Sequence, residues 1–124
     1  MRRSDQRRAA VVALYQEDLT GDSPEPEGTD FTRELIEGVR RERESLDELI
    51  ERHSVGWPLD RIAPLERSIL RVALFELLHR LDVPPEVAID EAVESAKELC
   101  SAEAPGFVNG ILGAVLRDEE VPAR

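Results

Sequence analysis

Apolar residues recur at intervals of three and four along almost the whole chain, and no stretch sustains a two-residue alternation. That period belongs to helices with one buried face, and it excludes strands as the main element. Prolines and glycines cut the pattern into segments. The pattern predicts an all-α fold, a compact bundle of about six or seven helices. A first helix starts after Ser4, a favourable N-cap, and runs to about Leu19, presenting Ala10, Ala13, Leu14 and Leu19. Gly21 to Gly28 reads as an acidic, mobile loop. Thr29 caps a second helix with Asp30 in its first turn and Phe31, Leu35 and Val39 as its stripe. Leu46, Leu49 and Ile50 continue the stripe beyond the charged run Arg40 to Ser45, as one long helix or two. Val55-Gly56-Trp57-Pro58 ends it, and Leu59 to Ile62 suits a short helical turn.

Pro64 suits the first position of the next helix. Between Leu65 and Leu78 only a narrow polar strip interrupts the apolar residues: Glu66, Arg67, Arg71 and Glu76, continued by His79 and Arg80. A helix so apolar is the central one, covered on most sides. After Asp82-Val83-Pro84-Pro85 a further helix carries Val87, Ile89, Ala92, Val93, Ala96 and Leu99. Pro105 suits another helix start, with Phe107, Val108, Ile111, Leu112, Val115 and Leu116 as its stripe and a frayed polar tail from Asp118.

A chain of 124 residues reads as one domain, 1–124, large enough for a real core. No apolar run approaches the ~20 residues of a bilayer span, and the N-terminus has charge without the apolar stretch of a secretory signal. One cysteine, Cys100, allows no internal disulfide and fits a reducing cytoplasm. Catalysis is disfavoured. His53 and His79 fall at helix ends beside charged residues and read as solvated, and Cys100 reads as a core thiol. No phosphate loop, nucleophile elbow or zinc spacing is present, so no catalytic residue, cofactor or metal site is expected.

The charge distribution points elsewhere. Four of the first eight residues are arginine (Arg2, Arg3, Arg7, Arg8), in a chain of 16 basic and 27 acidic side chains and net charge −11. A basic tip on an acidic body implies contact with a polyanion. Arg8 and Tyr15 lie seven apart, nearly on one helical stripe, and guanidinium plus aromatic face suits single-stranded RNA. A solubilising terminus with Tyr15 in the core is an equally weighted alternative. Asn109 and Gly110 near a helix start imply close approach of another backbone or a ligand, although tight helix packing explains Gly110 more simply. Phe107 is by default core. The acidic body repels nucleic acid and attracts a basic protein; the polar strip with Glu66, Arg67, Glu76 and Arg80 is the candidate docking face.

Arg7-Arg8-Ala9-Ala10-Val11-Val12-Ala13-Leu14-Tyr15-Gln16 resembles the opening helix of the NusB transcription antitermination factors. So do Leu65 to Leu77, Asp82-Val83-Pro84, Val87 to Lys97, and Phe107-Val108-Asn109-Gly110-Ile111-Leu112, in the expected order. The resemblance covers nearly the whole chain and is weakest from Gly21 to Trp57. It implies two small helical bundles and a non-enzymatic, cytoplasmic RNA-binding factor without cofactor. It implies a partner, the ribosomal protein NusE, a single-stranded boxA-type RNA in ribosomal RNA leaders, and action within an RNA polymerase antitermination complex. Family members occur as monomers and as homodimers. The resemblance places Arg2, Arg3, Arg7, Arg8, Tyr15, Phe107 and, on the same motif, Asn109 on the RNA side, and Glu66 with its neighbours on the NusE side. Asp90 departs from a frequent Asn, and Gly106 stands where a basic residue can occur, which implies a weaker C-terminal part of an RNA site. The alternatives are the RNA-holding helical domain of ribosomal RNA cytosine methyltransferases, disfavoured by the chain's length, and a helical protein-interaction adaptor.

Overall fold

The computed structural model describes residues 2–22 and 29–124. They form five α-helices and one 3-10 turn: α1 (Arg3–Thr20), α2 (Asp30–His53), the turn Leu59–Arg61, α3 (Pro64–His79), α4 (Pro85–Leu99) and α5 (Ala104–Asp118). The count is slightly below the expected six or seven, because the charged run Arg40 to Ser45 does not break α2. Its arginines reach across to α1, Arg40 to Glu17 at 3.0 Å and Arg43 to Asp18 at 2.8 Å.

The apolar α3 is central, as expected, and every residue from Ser68 to Leu77 on it is buried. Helices α1, α2, α4 and α5 all pack against it. The core joins Leu14, Leu35, Leu46, Ile50, Leu70 and Leu112 from four of these helices. Between α2 and α3 the Phe75 ring fills the space at Gly38, where an added Cβ would overlap it.

Several local expectations change. Ser4 is not the N-cap of α1: Arg2 holds that position, and the Ser4 hydroxyl donates to Glu91 on α4 at 2.8 Å. Thr29 does occupy the N-cap of α2, yet its hydroxyl bonds Gln6 on α1 rather than its own helix. Leu19 is 55% exposed, and Val11 takes its place in the core. On α4 the buried face is Ala88, Ala92, Ser95 and Ala96, and Val87 points to solvent. Small residues face α3 there, which lets the backbones approach. Gly21, with φ +77°, ends α1 in the left-handed conformation that favours glycine. Of the mobile loop expected from Gly21 to Gly28, residues 23–28 lie outside the described residues.

The tail is not frayed. Glu119 accepts from Arg52 at 2.9 Å and pairs with His53 at 2.7 Å. The Arg124 guanidinium donates to the carbonyls of Val83 at 2.9 Å and Glu76 at 3.0 Å. A cation here joins the Arg80 N–H at the Glu76 carbonyl and complements the dipole at the end of α3. His53 is therefore covered and paired instead of solvated, while His79 stays exposed, its ring on Phe75. No helix among the described residues is long and apolar enough to cross a membrane.

Candidate functional site

The basic tip is built by the first turns of α1. Arg2, at the N-cap, and Arg3 are exposed; Arg8, one turn on, is half-buried. Each has an acidic neighbour: Arg2 reaches Asp5 at 3.6 Å, Arg3 reaches Asp82 at 3.2 Å, and Arg8 reaches Glu98 at 3.0 Å. Arg80 also donates to Asp82, and this bonding holds the Asp82 carboxyl well below the ordinary carboxylate range. The guanidiniums of Arg3 and Arg80 lie 4.3 and 5.0 Å from the centre of the Phe31 ring. Arg3 and Arg80 thus share an aromatic base, while Arg2 and Arg8 are held beside carboxylates.

Arg7 also lies over the Phe31 ring, 5.3 Å from its centre, but it is covered. It is 5% exposed, and its Nε donates to both carboxylate oxygens of Glu76 at 2.9 and 3.0 Å. Glu76 is 1% exposed. Burial pushes its carboxyl up, and the Arg7 charge opposes this. The pair ties α1 to the middle of the fold. Neither side chain presents a surface to a partner in this structure, so Arg7 leaves the RNA-facing set and Glu76 the docking strip. In sequence the two look like surface charges, because the pairing joins segments 69 residues apart.

The rest of the strip divides similarly. Arg67 donates to the carbonyls of Ile62 at 3.1 Å and Leu59 at 3.3 Å, and to Asp18 at 3.0 Å. Asp18 also accepts from Arg43, and Arg71 lies 3.5 Å from it. Burial raises the Asp18 carboxyl, but these arginines outweigh it, and the group titrates below its ordinary value. Arg67 and Arg71 thus fasten α3 to α1 and to the turn before it. Glu66 alone combines a place at the start of α3 with an open face. Burial pushes its carboxyl up, partly offset by the backbone N–H of Ala63.

Tyr15 is half-buried further along α1. Phe107 is half-buried and Asn109 exposed on α5. Gly110 is not packed against a neighbouring helix: a Cβ there would meet nothing within 4 Å, and the same holds for Gly106. Tight packing therefore does not explain Gly110. Beside it, Phe107 and Glu66 line one cleft of about 350 Å3 together with Trp57, Arg61, Ile62 and Glu103. Sequence reasoning singled out neither Trp57 nor Glu103; an indole in a Gly-Trp-Pro turn was read as a helix terminator only.

Cys100 is half-buried at the end of α4, packed against the edge of the core. Burial and the Glu66 charge raise its thiol, so it stays protonated at neutral pH.

Comparison with known proteins adds the family. Residues 4–117 match the NusB family. The chain is 46% identical over 122 residues to the transcription antitermination protein NusB of Rubrobacter xylanophilus, covering 90% of this chain and 88% of that one. It is 44% identical to NusB of Saccharopolyspora erythraea, covering 91% and 85%. Among solved structures, T. maritima NusB matches with a TM-score of 0.86 at 30% identity, covering 98% of this chain and 94% of that one. A structure of antitermination factors NusB and NusE in complex with double-stranded RNA matches with a TM-score of 0.82 at 26% identity, covering 93% and 96%. On this likeness the chain belongs to the NusB family, which consists of transcription antitermination factors and not of enzymes.

Proposed function

We infer that this protein is an RNA-binding transcription antitermination factor that acts with NusE on a single-stranded boxA-type RNA, inside a cytoplasmic antitermination complex around RNA polymerase. The observation that carries the reading is the ordered basic tip on an acidic body. Arg2, Arg3 and Arg8 offer guanidiniums to phosphates. The net charge of −11 opposes RNA and favours a basic protein partner, so binding is expected to need both. The likeness to NusB in complex with NusE and RNA supports the same pairing. In this reading Arg2, Arg3, Arg8, Tyr15, Phe107 and Asn109 face RNA, Arg7 positions α1, Glu66 lies toward the protein partner, and Arg80, which shares Asp82 with Arg3, stands where the two faces meet. A homodimer that covers the arginine tip would compete with RNA.

The test is a titration of boxA-like RNA into the protein with and without NusE. NusE is expected to tighten RNA binding sharply, and the combined Arg2→Ala, Arg3→Ala, Arg8→Ala variant to weaken it. An RNA affinity that NusE leaves unchanged overturns the reading. Glu66→Arg is expected to reduce NusE capture while the helical signal stays intact.

A further inference from the structure

Residues 119–124 leave the end of α5 and stay on the body of the protein. At one end Glu119 accepts from Arg52 and pairs with His53, both in the last turn of α2. Val121 is half-buried along the way. At the other end the Arg124 guanidinium meets four carbonyls. One is Pro122 of its own segment, at 2.8 Å. The others are Val83, Glu76 and Arg80, at 2.9, 3.0 and 3.3 Å. A guanidinium has five N–H donors in a fixed fork, so most of this one is engaged.

The place it engages is the end of α3. Helices commonly close on a glycine in the left-handed conformation, which turns the chain and satisfies the last carbonyls. Here Arg80-Leu81-Asp82-Val83 follows His79, and none of these residues has a positive φ. Within this turn the Arg80 N–H donates to the Glu76 carbonyl at 3.1 Å, and the Val83 N–H to the Arg80 carbonyl at 3.1 Å. Arg124 brings a second donor to each of those two carbonyls and one more to Val83. Val83 is buried, but Leu81 in the middle of the turn is 53% exposed, so packing holds only one end of it.

The same turn frames the basic tip. Arg80 donates to both carboxylate oxygens of Asp82 at 2.9 Å, and also to Glu34 on α2. Asp82 accepts from Arg3 at 3.2 Å. Arg3 uses one terminal nitrogen on this bond, and its guanidinium is held over the Phe31 ring. Contacts therefore run without a break from the end of α2, through residues 119–124, to the end of α3. From there they pass through Arg80 and Asp82 to Arg3 at the start of α1.

We propose that residues 119–124 are a strap that positions the turn 80–83, and through Asp82 the Arg3 guanidinium, for a phosphate of the bound RNA. Arg124 is then a positioning residue and not a phosphate ligand. The inference rests on the RNA reading above and adds to it the device that orders the tip. A cation fixed in advance loses less freedom when a strand arrives. Arg124 itself is turned to carbonyls at a helix C-terminus, where the dipole is negative and disfavours an anion.

The experiment measures the affinity of the NusE-bound protein for a boxA-like RNA over a series of salt concentrations. The variants are Arg124→Ala, Arg3→Ala, Arg8→Ala, and the two doubles that contain Arg124→Ala. One phosphate contact, at a slope of roughly 0.7, is worth about fivefold at about 0.1 M salt. Arg3→Ala and Arg124→Ala are each expected to lose about that much affinity and about 0.7 of slope. Their double is expected to lose no more than either alone, because both remove the same contact. Arg8 is held by Glu98 on α4 and not by the turn. Its double with Arg124→Ala is expected to multiply, to about 25-fold. Hydrogen exchange in the free protein gives a second readout. In Arg124→Ala the amides of Arg80 and Val83 are expected to exchange about fivefold faster, the worth of one hydrogen bond, with the middle of α3 unchanged.

A loss that multiplies in the Arg3 and Arg124 double makes Arg124 a separate contact and overturns the proposal. Unchanged exchange at Arg80 and Val83 overturns it, since the turn then stands without the strap. Faster exchange through the middle of α3 overturns it as well, by reducing Arg124 to general stability. Unchanged RNA affinity in Arg3→Ala, with weakened binding in Arg8→Ala, overturns the proposal and leaves the RNA reading in place. Unchanged affinity in both overturns the two together.

Discussion

Arg7 and Glu76 show how residue type alone misleads. An arginine in a run of arginines and a glutamate on a polar strip both looked accessible, yet each is almost fully covered and bonded to the other. Removing one partner leaves a buried charge without compensation. Arg7→Ala is expected to lower unfolding free energy by about 3–5 kcal/mol in denaturant titration, the usual cost of orphaning a buried charge. Arg2→Ala, on an exposed side chain, is expected to change it by less than about 0.5 kcal/mol. Asp18 gives a pH-dependent counterpart. Its carboxyl is lowered in the folded protein, so the unfolded chain binds the proton more readily. The stability it contributes is complete above the ordinary carboxylate range and is lost as pH falls through that range toward the lowered value. Asp18→Asn is expected to be less stable at neutral pH and to show a flatter acid limb in midpoint-versus-pH measurements.

At the scale of helices, the contact between α2 and α3 depends on one missing side chain. Gly38→Ala would gain helix propensity, but its methyl collides with Phe75. It is expected to cost about 1–3 kcal/mol in thermal or denaturant unfolding, as overpacking does, and Phe75→Leu in the same chain is expected to restore part of it. Gly110→Ala is the control. Open space surrounds it, so the change is expected to stabilise α5 by about 0.5–1 kcal/mol, while lowering RNA affinity if a backbone passes there. These helices differ in how far the sequence disclosed them. The apolar period located α3 as the centre and placed every helix start within a few residues, since burial along a helix is a local pattern. It found Ala92 and Ala96 on the inward face of α4 but put Val87 there too and passed over Ala88 and Ser95, small residues that pack inward. It missed the clasped tail, because Arg124 meets Val83 and Glu76 only after the chain has folded back. The Trp57 cleft was illegible for the same reason: its walls come from a turn, the start of α3 and the start of α5.

For the whole molecule, a cluster of arginines flanked by their own acids sits on a chain of net charge −11. If Arg2, Arg3 and Arg8 each meet a phosphate, the affinity for single-stranded RNA depends steeply on salt. Removing the three is expected to reduce the slope of log affinity against log salt by about 2, at roughly 0.7 per phosphate contact. A slope unchanged by the triple variant would place the RNA elsewhere. Unfolding midpoints should respond to salt far less, because the pairs that join helices, Arg7 with Glu76 and Arg71 with Asp47, are shielded from solvent.

The tip's arginines do not wait empty. Asp5, Asp82 and Glu98 already sit beside them as built-in counter-ions, so any incoming strand must exchange with carboxylates as well as shed its own cations. A lone phosphate or a short oligonucleotide gains little from such a swap. A strand that displaces all three acids in register gains from each exchange at once. In the proposed RNA reading the resident acids would act as a length filter, leaving the tip silent toward short polyanions and responsive to a strand long enough to trade at every position.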